Sequence, residues 1–256
     1  MAFITLNYYS EALGMQTQVD VLIPQKETEG EIGIENRAGD GKYKCLYLLH
    51  GCSDDQTIWM RRTSIERYAS KYGIAVVMPF AARSYYSDMK LGENYYQFIA
   101  KELPLTIQEF FNVSGKREDN YVCGLSMGGY GALKTGLREC SYFCKAAGLS
   151  AVTSFEGRYD WRILKNVFGD PVVIPDEDDL GKLADKQANN PDKPAIFIGC
   201  GTEDSLYKEN LKFCEKLNKL GYDVTYRESS GNHSWDFWDE YIQHAIKWLN
   251  LKNTTV

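Results

Sequence analysis

The chain has 256 residues, 44% of them hydrophobic, and a formal net charge of −6 at pH 7. This length and apolar content suit one α/β domain over residues 1–256 with a single large core. The negative charge argues against nucleic acid and anionic membranes as partners. No Lys or Arg precedes Lys26, and no apolar run reaches the roughly 20 residues that span a bilayer. We therefore expect neither a signal peptide nor a membrane segment.

The seven cysteines indicate a reducing compartment. Cys45, Cys123 and Cys200 lie inside apolar runs typical of buried strands, and an odd count does not suit a disulfide framework. We therefore expect a cytoplasmic protein. Cys140 and Cys144 have helical spacing, but no second Cys or His pair lies near them in the sequence to complete a zinc site. We expect no metal and no other cofactor.

The first half of the chain alternates predicted strands and helices. Alternating polarity predicts an antiparallel strand over 18–23, and an exposed loop rich in Glu and Gly follows at 26–40. Continuous apolar runs at 45–49 and 74–78 are typical of strands covered on both faces of a parallel sheet. A helical pattern over about 62–71 separates these two strands.

A long helix is predicted over 93–111, where apolar residues recur at steps of three and four. Pro104 lies inside this pattern and should kink the helix or divide it. Short strands are predicted at 119–123 and 146–149. Residues 153–194 break the rhythm with an acidic run and several prolines, and we interpret them as an insertion of short helices over the carboxyl edge of the sheet.

Regular alternation returns after this insertion. The pattern predicts a strand at 195–198, a helix at 206–220, a strand at 222–226 and a last helix at 235–249. Alternating helices and buried strands indicate an open, mostly parallel sheet with helices on both faces.

The sequence Gly124-Leu125-Ser126-Met127-Gly128 directly follows a predicted strand and has the G-x-S-x-G form of a nucleophile elbow. Such a turn holds a serine in strained backbone geometry and points the first amides of the next helix at the place where an oxyanion forms. The alternative is a glycine-rich turn in which Ser126 merely caps a helix.

A serine hydroxyl becomes a nucleophile when a base accepts its proton and an acid orients that base. His233 is the candidate base, because it lies in a polar loop between the last strand and the last helix. Asp204 follows the preceding strand and is the candidate acid, with Glu203 as the neighbour that could replace it. The order Ser126, Asp204, His233 matches that of α/β-hydrolases.

The oxyanion hole of such a site requires two N–H donors. The backbone N–H of Met127 is one candidate, and the N–H of Cys52, in the loop after the strand at 45–49, is the second. Gly51 lets this loop turn sharply, and His50 is a supporting residue. The alternative is that His50 and Gly51 only end the strand.

These motifs together resemble the esterase family of α/β-hydrolases, which includes tributyrin esterases, S-formylglutathione hydrolases, and acetylxylan and feruloyl esterases. The resemblance covers nearly the whole chain and rests on four separated segments, at 47–51, 124–132, 201–204 and 231–235. The segments at 59–63 and 94–96 are most similar to the tributyrin esterase branch. The resemblance is weakest at 153–194, where such enzymes build their substrate pockets.

The resemblance implies an α/β-hydrolase fold and a serine carboxylesterase acting on small ester molecules. The largely charged residues of the insertion at 153–194 predict short acyl chains. The alternatives are an S-formylglutathione thioesterase, a feruloyl or acetyl-sugar esterase, and, in another class, a binding protein without catalysis. Trp59, Tyr95 and Trp235 are candidates to line the substrate pocket. Related esterases are often dimers or tetramers, which leaves either assembly open here.

Overall fold

The computed structural model describes residues 1–25, 32–33, 41–158 and 161–249. The loop predicted at 26–40 lies outside these residues, apart from 32–33. Within the described part of the chain, no helix combines the length and the apolar character that crossing a bilayer requires.

Among these residues, eight strands form one sheet in the order β1-β2-β4-β3-β5-β6-β7-β8. Strand β2 runs antiparallel to both of its neighbours, β1 and β4. The six strands numbered β3 to β8 are parallel to one another. The strands are β1 (Ala2–Ser10), β2 (Met15–Ile23), β3 (Cys45–Leu49), β4 (Ala75–Pro79), β5 (Asn120–Leu125), β6 (Lys145–Leu149), β7 (Ala195–Gly201) and β8 (Val224–Ser229).

Helices cover both faces of this sheet. Along β3, Cys45, Tyr47 and Leu49 pack into one apolar core, and the alternate residues Leu46 and Leu48 pack into the other. The helices are α1 (Ile58–Arg62), α2 (Ile65–Tyr72), α3 (Tyr95–Gln97), α4 (Leu103–Phe110), α5 (Met127–Arg138), α6 (Arg162–Phe168), α7 (Leu180–Gln187), α8 (Tyr207–Lys219) and α9 (Trp235–Trp248). The predicted mostly parallel α/β sheet with helices on both faces is confirmed.

The structure differs from the predicted elements at two places. Strand β1 (Ala2–Ser10) was not predicted, although it pairs with β2 over its whole length. The helix predicted at 62–71 is α2, and the short helix α1 directly before it was not predicted. The predicted division near Pro104 is confirmed, because a π-helical turn at Phe98–Glu102 precedes α4 and places the proline in the first turn of that helix, where its missing N–H costs nothing.

The insertion contains α6 and α7 and is attached to the elbow helix α5 by a buried lysine. The Lys134 ammonium is completely buried and donates to the Asp178 carboxylate at 2.6 Å and to the Ser87 hydroxyl at 2.6 Å. It also lies 4.9 Å from the centre of the Tyr130 ring. Burial lowers the pKa of Lys134 to about 8, although the Asp178 carboxylate acts in the opposite direction. The Lys134 ammonium therefore connects helix α5 to the insertion, through Asp178, and to the loop that contains Ser87.

We expect Lys134→Met to destabilise the protein by about 3–5 kcal/mol, because it leaves the Asp178 carboxylate buried without its counter-ion. Lys134→Met combined with Asp178→Asn removes both charges and should recover much of that loss. Urea unfolding at pH 7, followed by circular dichroism, measures these free energies.

Lys182→Met is the matched control, since Lys182 forms an exposed ion pair with Asp176 on the same insertion. Such pairs contribute little, and we expect no measurable change in unfolding. A Lys134→Met protein as stable as the wild type would show that the buried cation does not hold the insertion.

Candidate active site

Ser126 occupies the sharp turn between β5 and α5. Its φ of 54° and ψ of −116° lie in a region that side-chain-bearing residues rarely adopt. The segment after β6 holds this turn on both sides, because the Ser126 N–H donates to the Leu149 carbonyl at 2.9 Å and the Val152 N–H donates to the Ser126 carbonyl at 3.2 Å. A Cβ atom on Gly128 would overlap backbone carbonyl oxygens at the end of β3, so only glycine lets the elbow approach this closely.

Ser126, His233 and Asp204 are joined in the structure by two consecutive hydrogen bonds. The Ser126 Oγ lies 3.0 Å from His233 Nε2, and His233 Nδ1 lies 2.8 Å from Asp204 Oδ2. An ionised carboxylate only accepts hydrogen bonds, so Nδ1 carries the proton and Nε2 is left to accept from the serine hydroxyl. This is the arrangement in which imidazole can take a proton from serine.

Asp204 is buried, whereas about a third of the His233 side chain is exposed. Burial alone raises the pKa of the Asp204 carboxyl, but the hydrogen bond from His233 and that from the Leu206 N–H, at 2.8 Å, outweigh burial and hold it below its usual value. The carboxylate therefore stays ionised at neutral pH, as an orienting acid must.

Glu203 has a different neighbourhood from Asp204. Its carboxylate accepts hydrogen bonds from the Gly231 N–H and, at 2.9 Å, from the Thr202 hydroxyl, and these contacts lower its pKa. A Cβ atom on Gly201 would overlap the Gly231 carbonyl, so β7 and the histidine loop touch backbone to backbone. The Glu203 carboxylate thus holds the loop that carries His233 through the Gly231 N–H. Among the described contacts, the imidazole bonds to Asp204 and Ser126 and not to Glu203.

The predicted oxyanion loop is fixed by His50, which is almost completely buried. His50 Nε2 accepts from the Ala81 N–H at 2.9 Å, so the ring is protonated at Nδ1, which donates to the Gly51 carbonyl at 2.7 Å. Burial lowers the pKa of His50, which favours this neutral form. Because a trans peptide points its C=O and N–H in opposite directions, His50 also sets the direction of the Cys52 N–H.

Met127 is the first residue of α5, so its N–H has no acceptor within that helix. It lies next to Ser126 at the positive end of the helix dipole, where developing negative charge is stabilised. The two N–H groups predicted to form the oxyanion hole therefore belong to one elbow helix and one loop fixed by a buried imidazole.

The three aromatic residues predicted to line the pocket lie at different depths. Trp59 is completely buried and donates its indole N–H to the Leu49 carbonyl at 3.1 Å; Tyr95 is buried, and Trp235 is partly exposed. Trp59 packs edge-on against Trp235, which packs against Trp238, and Trp238 lies 4.8 Å from the His233 ring. Trp59, Trp235 and Trp238 thus form a continuous row of rings, and Trp238 packs edge-on against the His233 imidazole.

A cavity of about 750 Å³ lies between the insertion and α8, and Ser126, Asp204 and His233 are not among the residues that line it. Two of its lining residues, Thr153 and Ser205, directly follow Val152 and Asp204 in the chain. Its apolar walls include Phe155 and Phe213, and four lysines border it: Lys182, Lys208, Lys212 and Lys216. Its volume falls in the range of small-molecule sites.

Comparison with known proteins identifies the family of this chain. The sequence matches the family described as "Putative esterase" over residues 10–249, which is most of the chain. It belongs to this esterase family. The resemblance found in the sequence is thereby confirmed, and the protein is a carboxylic ester hydrolase of the α/β-hydrolase fold.

Three relatives of this esterase show how far the similarity extends. An acetyl esterase of Caldicellulosiruptor saccharolyticus is 31% identical over 268 residues, covering 98% of both chains. Two solved structures from Staphylococcus aureus are similar over 98% of this chain and 99% of theirs. The substrate-bound fluorophosphonate-binding serine hydrolase F has 34% sequence identity and a TM-score of 0.89. An S-formylglutathione hydrolase has 35% sequence identity and a TM-score of 0.85. The tributyrin esterase branch stays a prediction.

No local pattern in the sequence marks the turn at 149–152 that holds Ser126 on both sides. Its signal lies in the pairing of neighbouring strands, since Leu125 is opposite Leu149 at the ends of β5 and β6. Pairing between strands is a tertiary property that no local pattern contains.

Substitutions can distinguish the roles of the adjacent carboxylates Asp204 and Glu203. We expect Asp204→Asn to lower kcat by about 10⁴-fold, because an amide no longer holds His233 in the required tautomer. Glu203→Gln, its matched control, keeps an acceptor for the Gly231 N–H and should have a mild effect. Steady-state hydrolysis of 4-nitrophenyl acetate, with circular dichroism to establish folding, measures both. A large loss in Glu203→Gln with normal Asp204→Asn would reverse the assignment.

Proposed function

We propose that this esterase is a serine carboxylesterase for short acyl chains, with Ser126 as nucleophile, His233 as general base and Asp204 as orienting acid. The observation that carries the proposal is the continuous hydrogen-bonded line of these three residues, at 3.0 Å and 2.8 Å. No metal or cofactor enters the reaction.

The proposed reaction has two halves. Ser126 Oγ attacks the ester carbonyl carbon while His233 Nε2 takes the hydroxyl proton, and the carbonyl oxygen becomes an oxyanion. As this intermediate collapses, His233 gives the proton to the departing alcohol and an acyl-serine remains. A water molecule then attacks the acyl-serine, again losing its proton to His233, and the carboxylic acid leaves as Ser126 regains its proton.

The N–H groups of Cys52 and Met127 are proposed to bind the oxyanion. Loss of one such donor typically costs about 10²–10³ in kcat. Both proposed donors are backbone groups, so the identity of the Cys52 side chain matters less than the direction of its peptide. We assign that direction to His50, whose ring holds the adjoining carbonyl.

The surface of the insertion favours small substrates. Lipases that act on aggregated lipid have a broad apolar surface around the site. Here the exposed residues of the insertion are mostly charged, and lysines border the adjoining cavity. A long alkyl chain would desolvate these charges without satisfying them. Trp59, Tyr95 and Trp235 do not line this cavity, so their assignment to the substrate pocket stays a prediction.

We expect efficient hydrolysis of acetyl to butyryl 4-nitrophenyl esters and a fall in kcat/KM beyond roughly eight carbons, once the pocket is full and further methylenes stay in water. No jump in rate should occur at the solubility limit of the substrate. Ser126→Ala is the control and should abolish hydrolysis of every chain length. Preference for palmitoyl esters with interfacial activation would overturn the short-chain assignment and make the insertion a lipase lid.

A thioesterase acting on S-formylglutathione is the second candidate. It is supported by 35% identity to the Staphylococcus aureus S-formylglutathione hydrolase over nearly the whole chain. The same triad can cleave a thioester, with a thiol as the leaving group. Comparing kcat/KM for S-formylglutathione, acetylated sugars and feruloyl esters distinguishes these substrates.

A further inference from the structure

Asn210, in the first turn of α8, is completely buried. Its side-chain nitrogen Nδ2 lies 2.8 Å from the Ala151 carbonyl oxygen and 2.8 Å from the Leu206 carbonyl oxygen. Carbonyl oxygens only accept hydrogen bonds, so the group that faces both of them is the NH₂, which uses both of its hydrogens. Among the described residues, the amide oxygen Oδ1 has no partner. The side chain is therefore placed for its two donors, at the expense of its acceptor.

The Ala151 carbonyl begins a chain of hydrogen bonds that leads to the elbow. It shares its peptide with the Val152 N–H, which donates to the Ser126 carbonyl at 3.2 Å. The Ser126 carbonyl in turn shares its peptide with the Met127 N–H. Because a trans peptide points its C=O and N–H in opposite directions, each carbonyl that is held fixes the direction of the N–H on the same peptide. The chain thus runs from the Asn210 amide through two peptides to the Met127 N–H.

The bond from Val152 adds to what α5 itself provides. The Ser126 carbonyl also accepts from the Tyr130 N–H at 3.0 Å, which is a bond within the first turn of the helix. Helix ends fray, so a turn held only by its own bonds is less fixed than one that is also held from outside. Consecutive hydrogen bonds also polarise one another, which makes the last N–H of the chain a stronger donor.

The second hydrogen bond of Asn210 fixes its amide on α8 without involving the carboxylate of the acid turn. The Leu206 carbonyl accepts from Asn210, whereas the Leu206 N–H belongs to the preceding peptide and donates to Asp204 Oδ1. No contact among the described residues joins Asn210 to Asp204 or His233. The effect of Asn210 on the site therefore runs through the Ala151 carbonyl.

We propose that Asn210 is a positioning residue for the oxyanion hole, which holds the peptide of Ala151 and Val152 so that the Met127 N–H points at the developing oxyanion. The inference rests on the proposed function, because it assigns the support of one proposed donor. Asn210 acts on the Met127 N–H as His50 acts on the Cys52 N–H, from a buried position and through the backbone.

Asn210→Leu keeps the approximate size of the side chain and removes both donors. We expect kcat for 4-nitrophenyl acetate to fall about tenfold, less than the 10²–10³ typical of losing an oxyanion donor outright. KM should change little, because the oxyanion forms only after the substrate is bound. The Ki of a trifluoromethyl ketone, whose hemiketal with Ser126 carries a similar oxyanion, should rise by about the same factor. The acidic limb of kcat/KM should not move, because Asp204 keeps its hydrogen bonds from His233 and the Leu206 N–H.

Asn120→Leu is the matched control. Asn120 is also completely buried, its Nδ2 donates to the Ser114 and Lys116 carbonyls at 2.9 Å and 2.7 Å, and among the described residues its Oδ1 has no partner. It begins β5, at the opposite end of that strand from Ser126. The two substitutions remove the same kind of contacts, so we expect similar losses of melting temperature. With rates expressed per serine titrated by a fluorophosphonate, Asn120→Leu should keep the wild-type kcat and Ki.

Equal kcat and Ki in the two leucine variants would overturn the positioning role. A loss in Asn210→Leu that shifts the acidic limb would also overturn it, because the effect would then run through Asp204. If Asn210→Leu does not fold, Asn210→Ala and Asn120→Ala repeat the comparison without the bulk of leucine. A wild-type protein that hydrolyses no ester would overturn the proposed function and this inference with it, whereas an active wild type with equal variants would overturn this inference alone.

Discussion

The backbone of Ser126 is the constraint on which the site depends. A left-handed residue between a strand and a helix is unfavourable alone, and here hydrogen bonds to Leu149 and Val152 hold it from the neighbouring strand. The close approach of Gly128 to the end of β3 brings the elbow against the loop of Cys52. The Ser126 hydroxyl, the start of α5 and the predicted oxyanion loop are therefore positioned by the same contacts.

The rest of the molecule is arranged around this turn. The parallel strands β5 to β8 end at one edge, so the loops carrying Ser126, Asp204 and His233 converge although 107 residues separate the serine from the histidine. Two residues support loops of the proposed site: the Glu203 carboxylate holds the histidine loop through the Gly231 N–H, and the His50 ring holds the Gly51 carbonyl of the predicted oxyanion loop. Such supporting contacts keep catalytic groups within the tolerance that the chemistry requires.

Much of this was predictable from the sequence, because buried parallel strands and the elbow have strong local patterns. The order of Ser126, Asp204 and His233 at three strand ends predicted the line that the structure shows. Strand β1 was overlooked, although Ile4, Leu6 and Tyr8 alternate with more exposed residues. The depths of the aromatic residues and the buried Lys134 were not predictable, since both depend on which distant segments pack together.

The most direct test of this account is the site of covalent labelling by a fluorophosphonate, which reacts with an activated serine. Intact-protein mass spectrometry followed by peptide mapping should find one adduct per chain, on the peptide that contains Ser126, and the labelling rate should fall steeply in His233→Ala. An adduct on another residue, or equal labelling with and without His233, would contradict the claim that the strained elbow presents an activated nucleophile.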